Sequence, residues 1–257
     1  MITGFFMAWG TFSASPCPHR VWDERCRNWM LVMYPFVGLL MGFLWMLLYW
    51  LLMKLELPAQ LTGAIMTCYP FLVSGGIHLD GFMDVNDAIS SRKDRAEKRR
   101  ILKDSRVGAF AVISVSMMFM VFYAAMWSIV EWYKVGDGLV LALAMCVVRE
   151  AAAFDVLGQR PMISSQYREL SGKSNRKFMF IGWLAMLVLV VSALLIGRLG
   201  GYLWNMQLLW SILIGYFMAQ LVGIVCRRQL GGMNGDIAGT QVVWGELTTV
   251  VAMAILG

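Results

Sequence analysis

Apolar residues run through this chain in blocks too long for the core of a water-soluble domain. Seven stretches, at about 31–53, 57–77, 107–130, 139–157, 178–197, 202–226 and 237–257, are long and apolar enough to cross a hydrocarbon layer, which takes a helix about 20 residues. The first two are joined only by Lys54-Leu55-Glu56 and so predict an antiparallel hairpin. Gly38 and Gly42, in PFVGLLMG, form a GxxxG pair of the kind found on small-residue packing faces. The expected fold is all-α, a polytopic membrane helical bundle of about seven transmembrane helices. It forms one integral membrane domain over 1–257, with a cytoplasmic or interfacial segment at 1–30 and a cytoplasmic Asp-rich loop or helix at 75–106.

Composition agrees with that pattern. Hydrophobic residues make up 59% of the chain and charged residues 15%, and the mean hydropathy is +0.65, outside the usual range of soluble domains. The net charge of +6 would point to nucleic acid in a soluble protein. Here the cations sit in loops between apolar blocks, which topology explains better, so no nucleic-acid partner is expected. Arg20, Arg25 and Arg27, the run Arg92–Arg106, the segment 160–177, and Arg227 and Arg228 fall on one side of the bundle. Lys54, Lys134 and Arg198 fall on the other. The positive-inside rule then puts the N-terminus and 75–106 in the cytoplasm and the C-terminus outside. The expected location is a bacterial or archaeal cytoplasmic (inner) membrane, with membrane lipid as a partner and a homo-oligomer left open.

The first 19 residues lack Lys and Arg, and the first strong apolar run is too long for a signal core, so no cleavable leader is expected. Phe5, Phe6, Met7, Trp9 and Phe12 read as a short segment lying on the membrane surface. Of Cys17, Cys26, Cys68, Cys146 and Cys226, three fall in or beside apolar runs and read as small buried hydrophobes, and Cys17, His19 and Cys26 do not have zinc-type spacing.

The stretch Gly75–Asp87, GGIHLDGFMDVND, carries the chemistry. If it is helical, Asp80, Asp84 and Asp87 share one face at i, i+4 and i+7. Like charges stacked in this way repel, and a hard divalent cation or basic side chains must offset them. Oxygen ligands at this spacing suit Mg²⁺, which commonly completes its shell with water and substrate phosphate. His78 is a candidate for acid–base work.

A basic run follows, RKDRAEKRRILKDSRVG from Arg92. Lys98, Arg99, Lys103 and Arg106 recur at helical spacing, and Arg grips phosphate with a bidentate fork. Asp104-Ser105-Arg106-Val107-Gly108 leads into the next apolar block, where backbone N–H groups can receive an anion.

Arg149, Glu150 and Glu246 fall near mid-depth in apolar blocks. A charge there costs about 2.5–3.5 kcal/mol on the lenient insertion scale, so such groups face the bundle interior and find partners. The expected neighbours are the blocks 139–157 and 237–257, with Arg149 held by Glu246, Glu150 or both. Asp155 lies nearer the cytoplasmic end. GGMNGDIAG, Gly231–Gly239, introduces the last block with a flexible backbone and Asp236.

Four blocks in order resemble the cobalamin synthase family, the adenosylcobinamide-GDP ribazoletransferases. They are YPFVGLLMG (Tyr34–Gly42), GGIHLDGFMDVNDA (Gly75–Ala88), ILKDSRVGAFAV (Ile101–Val112) and RRQLGGMNGDIAGTQVVWGE (Arg227–Glu246). The most specific are the His-x-Asp-Gly-x-x-Asp-x-x-Asp and Lys-Asp-Ser-Arg-x-Gly runs. Asn234 stands where the family commonly has Thr, and Ala88 where it often has Asp-Gly. The N-terminal segment and 158–177 match loosely.

The resemblance implies that GDP-activated adenosylcobinamide and α-ribazole, or its 5′-phosphate, combine with Mg²⁺ and release GMP. It implies catalytic roles for Asp80, Asp84, Asp87 and His78, with the three aspartates holding the metal. Substrate contacts would come from Arg99, Lys103, Asp104, Ser105, Arg106, Arg149, Glu150, Asp236 and Glu246. CDP-alcohol phosphotransferases carry Ala-Arg where this chain has Met83-Asp84, and membrane prenyltransferases use two Asp-rich motifs where it has one. A transporter subunit with Arg149 and Glu246 as a coupling pair is the non-enzyme alternative.

Overall fold

A computed structural model of the protein describes residues 1–132, 138–163, 165, 175–199 and 206–256, with backbone alone at 192–199 and 206–208. Ten α-helices are described: α1 (Ile2–Phe12), α2 (Arg27–Lys54), α3 (Ala59–Val73), α4 (Ile77–Ser90), α5 (Arg95–Ile101), α6 (Ala109–Trp132), α7 (Leu139–Gly158), α8 (Arg176–Leu199), α9 (Met206–Leu230) and α10 (Gly235–Leu256). A 3-10 turn, Glu24–Cys26, precedes α2.

All seven apolar stretches contain a helix, and the all-α membrane bundle stands. Among the described residues, four segments are long and apolar enough to cross a membrane: Glu24–Lys54, Ala109–Trp132, Leu209–Leu230 and Gly235–Leu256. The count of seven is not reached on that measure. The 15 residues of α3 span only about 22 Å at 1.5 Å per residue, short of a hydrocarbon core of about 30 Å. The chain breaks there because Gly75 and Gly76 adopt φ of 64° and 76°, a left-handed backbone that glycine enters without steric cost.

The bundle is built around α7, α10 and α2. Nearly every residue of α7 is buried, its charges included, as expected of a helix apolar on all sides. It packs chiefly on α2, and α10 packs on α9, α4, α7 and α6. The GxxxG pair makes the first contact possible. A Cβ on Gly42 would lie 2.4 Å from Ala142 Cα, and one on Gly38 2.6 Å from the Met145 carbonyl oxygen. Large apolar side chains that this core does not use, such as Phe110, Ile113, Met117 and Met120 on α6 and Phe217 and Leu221 on α9, face outward. They form a surface suited to lipid.

One expectation is corrected. The N-terminal segment does not simply lie on a surface but joins the bundle. Gly4, Met7 and Ala8, spaced i, i+3 and i+4, are buried together with Phe12, and α1 packs on α2. The Ala14 N–H donates to the Val73 carbonyl at 2.8 Å, tying the end of α1 to the end of α3.

Candidate active site

The site forms where α4 crosses the start of α10. Gly81 permits the crossing: a Cβ there would lie 2.8 Å from Asp236 Cα and 2.9 Å from its carbonyl oxygen. The Thr240 hydroxyl stands 3.1 Å from the Gly81 carbonyl, across the same contact. Asn234 sets the start of α10. Its Oδ1 accepts from the Ile237 N–H at 3.0 Å, and its Nδ2 donates to Asp236 Oδ2 at 2.6 Å. An Asn at a helix start that binds an N–H three residues on is a favoured cap.

This crossing gathers Asp80 and Asp84 from α4 with Asp236 from α10. Burial first, then the charges of Asp80, Asp236 and Asp87, push the Asp84 carboxyl up from its ordinary 3.8 to about 6. Asp87 lies on the same helix face but is engaged elsewhere. Its oxygens accept from the Gly108 N–H at 2.5 Å and the Ala111 N–H at 2.9 Å, holding the N-terminus of α6. Negative charge there also complements the positive end of the helix dipole.

Among the described residues, no three His, Cys, Asp or Glu side chains stand together, as placed, closely enough to hold an ion. The donor chemistry nevertheless fits a hard dication. Asp80, Asp236 and Asp87 repel the charge on Asp84, and a divalent cation held by these carboxylates would relieve that repulsion.

His78 is buried on the inner side of α4. The Tyr34 hydroxyl, on α2, lies 2.5 Å from its Nε2, and burial holds its imidazole well below the ordinary value and therefore neutral. A cavity of about 150 Å³ opens beside it, with Asp80 and Asp236 among its lining residues.

The basic run divides by role. Lys98 Nζ donates to Gln229 Oε1 at 2.6 Å. Arg99 donates from Nε to the Leu230 carbonyl at 2.6 Å and from Nη2 to the Gly231 carbonyl at 3.0 Å. Arg95 reaches the Arg228 carbonyl at 2.9 Å. These three side chains clasp the C-terminus of α9, where backbone carbonyls lack helical partners and cations are favoured. Arg106 instead pairs with Asp104 in a fork of 3.0 and 2.7 Å. That contact holds the Asp104 carboxyl down at about 2. Lys103 and Ser105 are exposed beside this fork.

Deeper in the bundle, Arg149 pairs with Glu246 at 2.6 Å. Glu150 faces away from that pair and lines an apolar cavity of about 440 Å³ between α7, α8 and α9. Asp155 binds Arg227 and accepts from Gln241 Nε2 at 2.7 Å. Sequence reasoning did not assign Tyr34, Asn234, Thr240 or Gln241 to the site. Asn234 carried a readable signal as a cap residue directly before an apolar-periodic block. The others are neutral polar residues that only the packing brings into play.

The chain matches the family model described as Cobalamin-5-phosphate synthase over residues 4–254. It is 33% identical over 254 residues to the adenosylcobinamide-GDP ribazoletransferase of Clostridium perfringens (strain 13 / Type A), covering 97% of this chain and 96% of the relative. Its identity is 31% over 256 residues to that of Halalkalibacterium halodurans, covering 96% and 93%. To that of Pseudomonas putida (strain W619) it is 35% over 230 residues, covering 88% and 87%. No solved structure matches.

Proposed function

Because the chain belongs to the cobalamin-5-phosphate synthase family, we propose that it joins GDP-activated adenosylcobinamide to α-ribazole, or to its 5′-phosphate, and releases GMP. The observation that carries this reading is the approach of Asp80 and Asp84 to Asp236 across the Gly81 contact. It makes an anionic site whose carboxylates repel one another, and the basic run supplies exposed cations suited to phosphate.

In the reaction a ribose hydroxyl of α-ribazole attacks the phosphorus attached to cobinamide. The new O–P bond forms, the bond from that phosphorus to the GMP oxygen breaks, and the hydroxyl proton leaves. Asp80, Asp84 and Asp236 would hold Mg²⁺, which when bound neutralises charge on the diphosphate. Asp87 keeps the α6 N-terminus, with its Gly108 N–H, next to these carboxylates. Lys103 and Arg106 take up developing negative charge at the exposed edge. The Arg106 fork, oriented by Asp104, exchanges that exposed partner for phosphate at little cost. His78 is a poor proton acceptor, since burial disfavours its cation and Tyr34 occupies Nε2. The proton therefore passes to a carboxylate at the cavity mouth, Asp80 or Asp236, through an oxygen that is not holding the cation.

The reading puts the chain in a cytoplasmic (inner) membrane with the site facing the cytoplasm. The loop charges support this, because the site and the basic segments share one end of the bundle. Purified protein in lipid nanodiscs, given both substrates and Mg²⁺, should release GMP in step with formation of the joined corrinoid. GMP release that does not depend on α-ribazole, or no release at all, rejects the assignment.

A further inference from the structure

The cavity beside His78 has a graded lining. Phe12 from α1, Leu31 and Tyr34 from α2, and Ala152, Ala153 and Val156 from α7 build an apolar interior, whereas Asp80 and Asp236 stand at its rim. Asp80 is exposed and the interior residues are mostly buried, so the cavity opens toward the carboxylates and closes toward the bundle. The rings of Phe12 and Tyr34 lie 4.3 Å apart between centroids and make an aromatic wall. The Tyr34 hydroxyl and His78 Nε2 satisfy each other at 2.5 Å, so this polar pair does not demand a ligand.

We propose that this cavity is the acceptor subsite, taking the carbocyclic ring of a benzimidazole-type nucleoside inward and leaving its ribose at Asp80 and Asp236. The inference rests on the transferase reading above and adds which part of the acceptor binds where. Size supports it: an apolar cavity of about 150 Å³ is known to take a benzene ring, and this one measures about 150 Å³. One six-membered ring fits inside, while the fused five-membered ring and its glycosidic bond remain at the opening. That orientation brings the ribose hydroxyls to the carboxylates, where the attacked phosphorus must lie. It also gives α1 a role, since its buried Phe12 is part of the lining. Ala152 and Ala153 matter for the side chain they lack, because any larger residue there occupies the ring's space.

The test is steady-state kinetics of full-length protein in nanodiscs, with each substrate varied in turn. Ala153→Leu should raise KM for α-ribazole about tenfold or more, in line with steric discrimination in apolar pockets, and leave KM for the GDP-activated corrinoid within about twofold. An unchanged acceptor KM, or a rise confined to the corrinoid, overturns the subsite. Val156→Ala, a milder change, guards against a variant that does not fold. It should shift the kcat/KM ratio toward 5,6-dimethylbenzimidazole riboside over the unsubstituted riboside, and an unchanged ratio also overturns the proposal. Failure of the wild type to release GMP would instead reject the underlying reading.

Discussion

Arg149 donates from Nη1 to Glu246 Oε1 at 2.6 Å inside the bundle, with the two side chains 0% and 4% exposed. The same Nη1 lies 2.9 Å from the Met145 carbonyl, and the Tyr34 ring lies 5.9 Å from Arg149 Cζ. Nε and Nη2 find no hydrogen-bond partner among the described residues. Among the described residues, Glu246 is therefore the one counter-charge bonded to this guanidinium. It sits on the helix that carries Asp236, and Tyr34 in turn touches His78. The pair thus fixes the register of α10 against α7 and, through it, the depth at which Asp236 meets α4.

Removing one partner should be costly. Glu246→Gln leaves a buried cation without its counter-charge, a change worth about 3–5 kcal/mol for buried pairs. Adding Arg149→Met should recover part of that loss, because an apolar side chain of similar length needs no partner. Denaturant unfolding of the two single variants and the double variant gives the coupling. Coupling near zero would mean that the pair does not lock the two helices.

Asp84 shows the opposite behaviour, stability sacrificed for a ligand. Its folded-state value of about 6 lies above its ordinary 3.8. In the metal-free protein its contribution to stability is full below about 4 and is lost as pH rises through about 6. Asp84→Asn removes that charge. At pH 7.5 without divalent cations the variant should unfold at a higher temperature than wild type, and the two should converge near pH 4. Mg²⁺ should raise the melting temperature of wild type much more than that of the variant, and turnover of the variant should collapse. Equal Mg²⁺ stabilisation of both proteins would remove Asp84 from the metal site.

Much of this was legible in the chain. The apolar blocks gave the helices, and the i, i+4, i+7 spacing put the aspartates on one face. Depth counting paired Arg149 with Glu246, since two opposite charges in an apolar medium have few other partners. The contribution of Asp236 was only partly legible, because it depends on the absence of a side chain at Gly81 and on a crossing between residues far apart in the chain. The clasp of Lys98 and Arg99 on α9 was also hidden. A cation at helical spacing looks the same whether it faces phosphate or the carbonyls of another helix. The burial of α1 was misread because its aromatic residues suit an interface as well as a core.

Asp87 can be separated from its neighbours by comparing two substitutions. Asp87→Ala removes the acceptor for the Gly108 and Ala111 N–H groups, and loss of a helix cap costs about 0.5–2 kcal/mol. Asp87→Asn keeps an oxygen in place and, as Asn caps about as well as Asp, should stay close to wild type in thermal unfolding. Equal destabilisation by both substitutions would show that charge rather than capping is what Asp87 supplies.

The basic run should split in the same assay. Arg99 spends its donors on the carbonyls of Leu230 and Gly231, whereas Arg106 holds only an exposed carboxylate, Asp104. Arg99→Ala should lower thermal stability and kcat through loosening of α5 from α9, with KM for the GDP-activated corrinoid little changed. Arg106→Ala should leave the melting temperature near that of wild type and raise that KM about ten- to hundredfold, the usual loss of a hydrogen bond to a charged group. Arg106→Lys should restore only part of the affinity, because an ammonium cannot reproduce the two parallel bonds of the fork. Both arginines are cations in one 15-residue stretch, so bulk electrostatics would predict equal KM effects from the two alanine variants. That equality would show that neither the clasp nor the fork sets their roles.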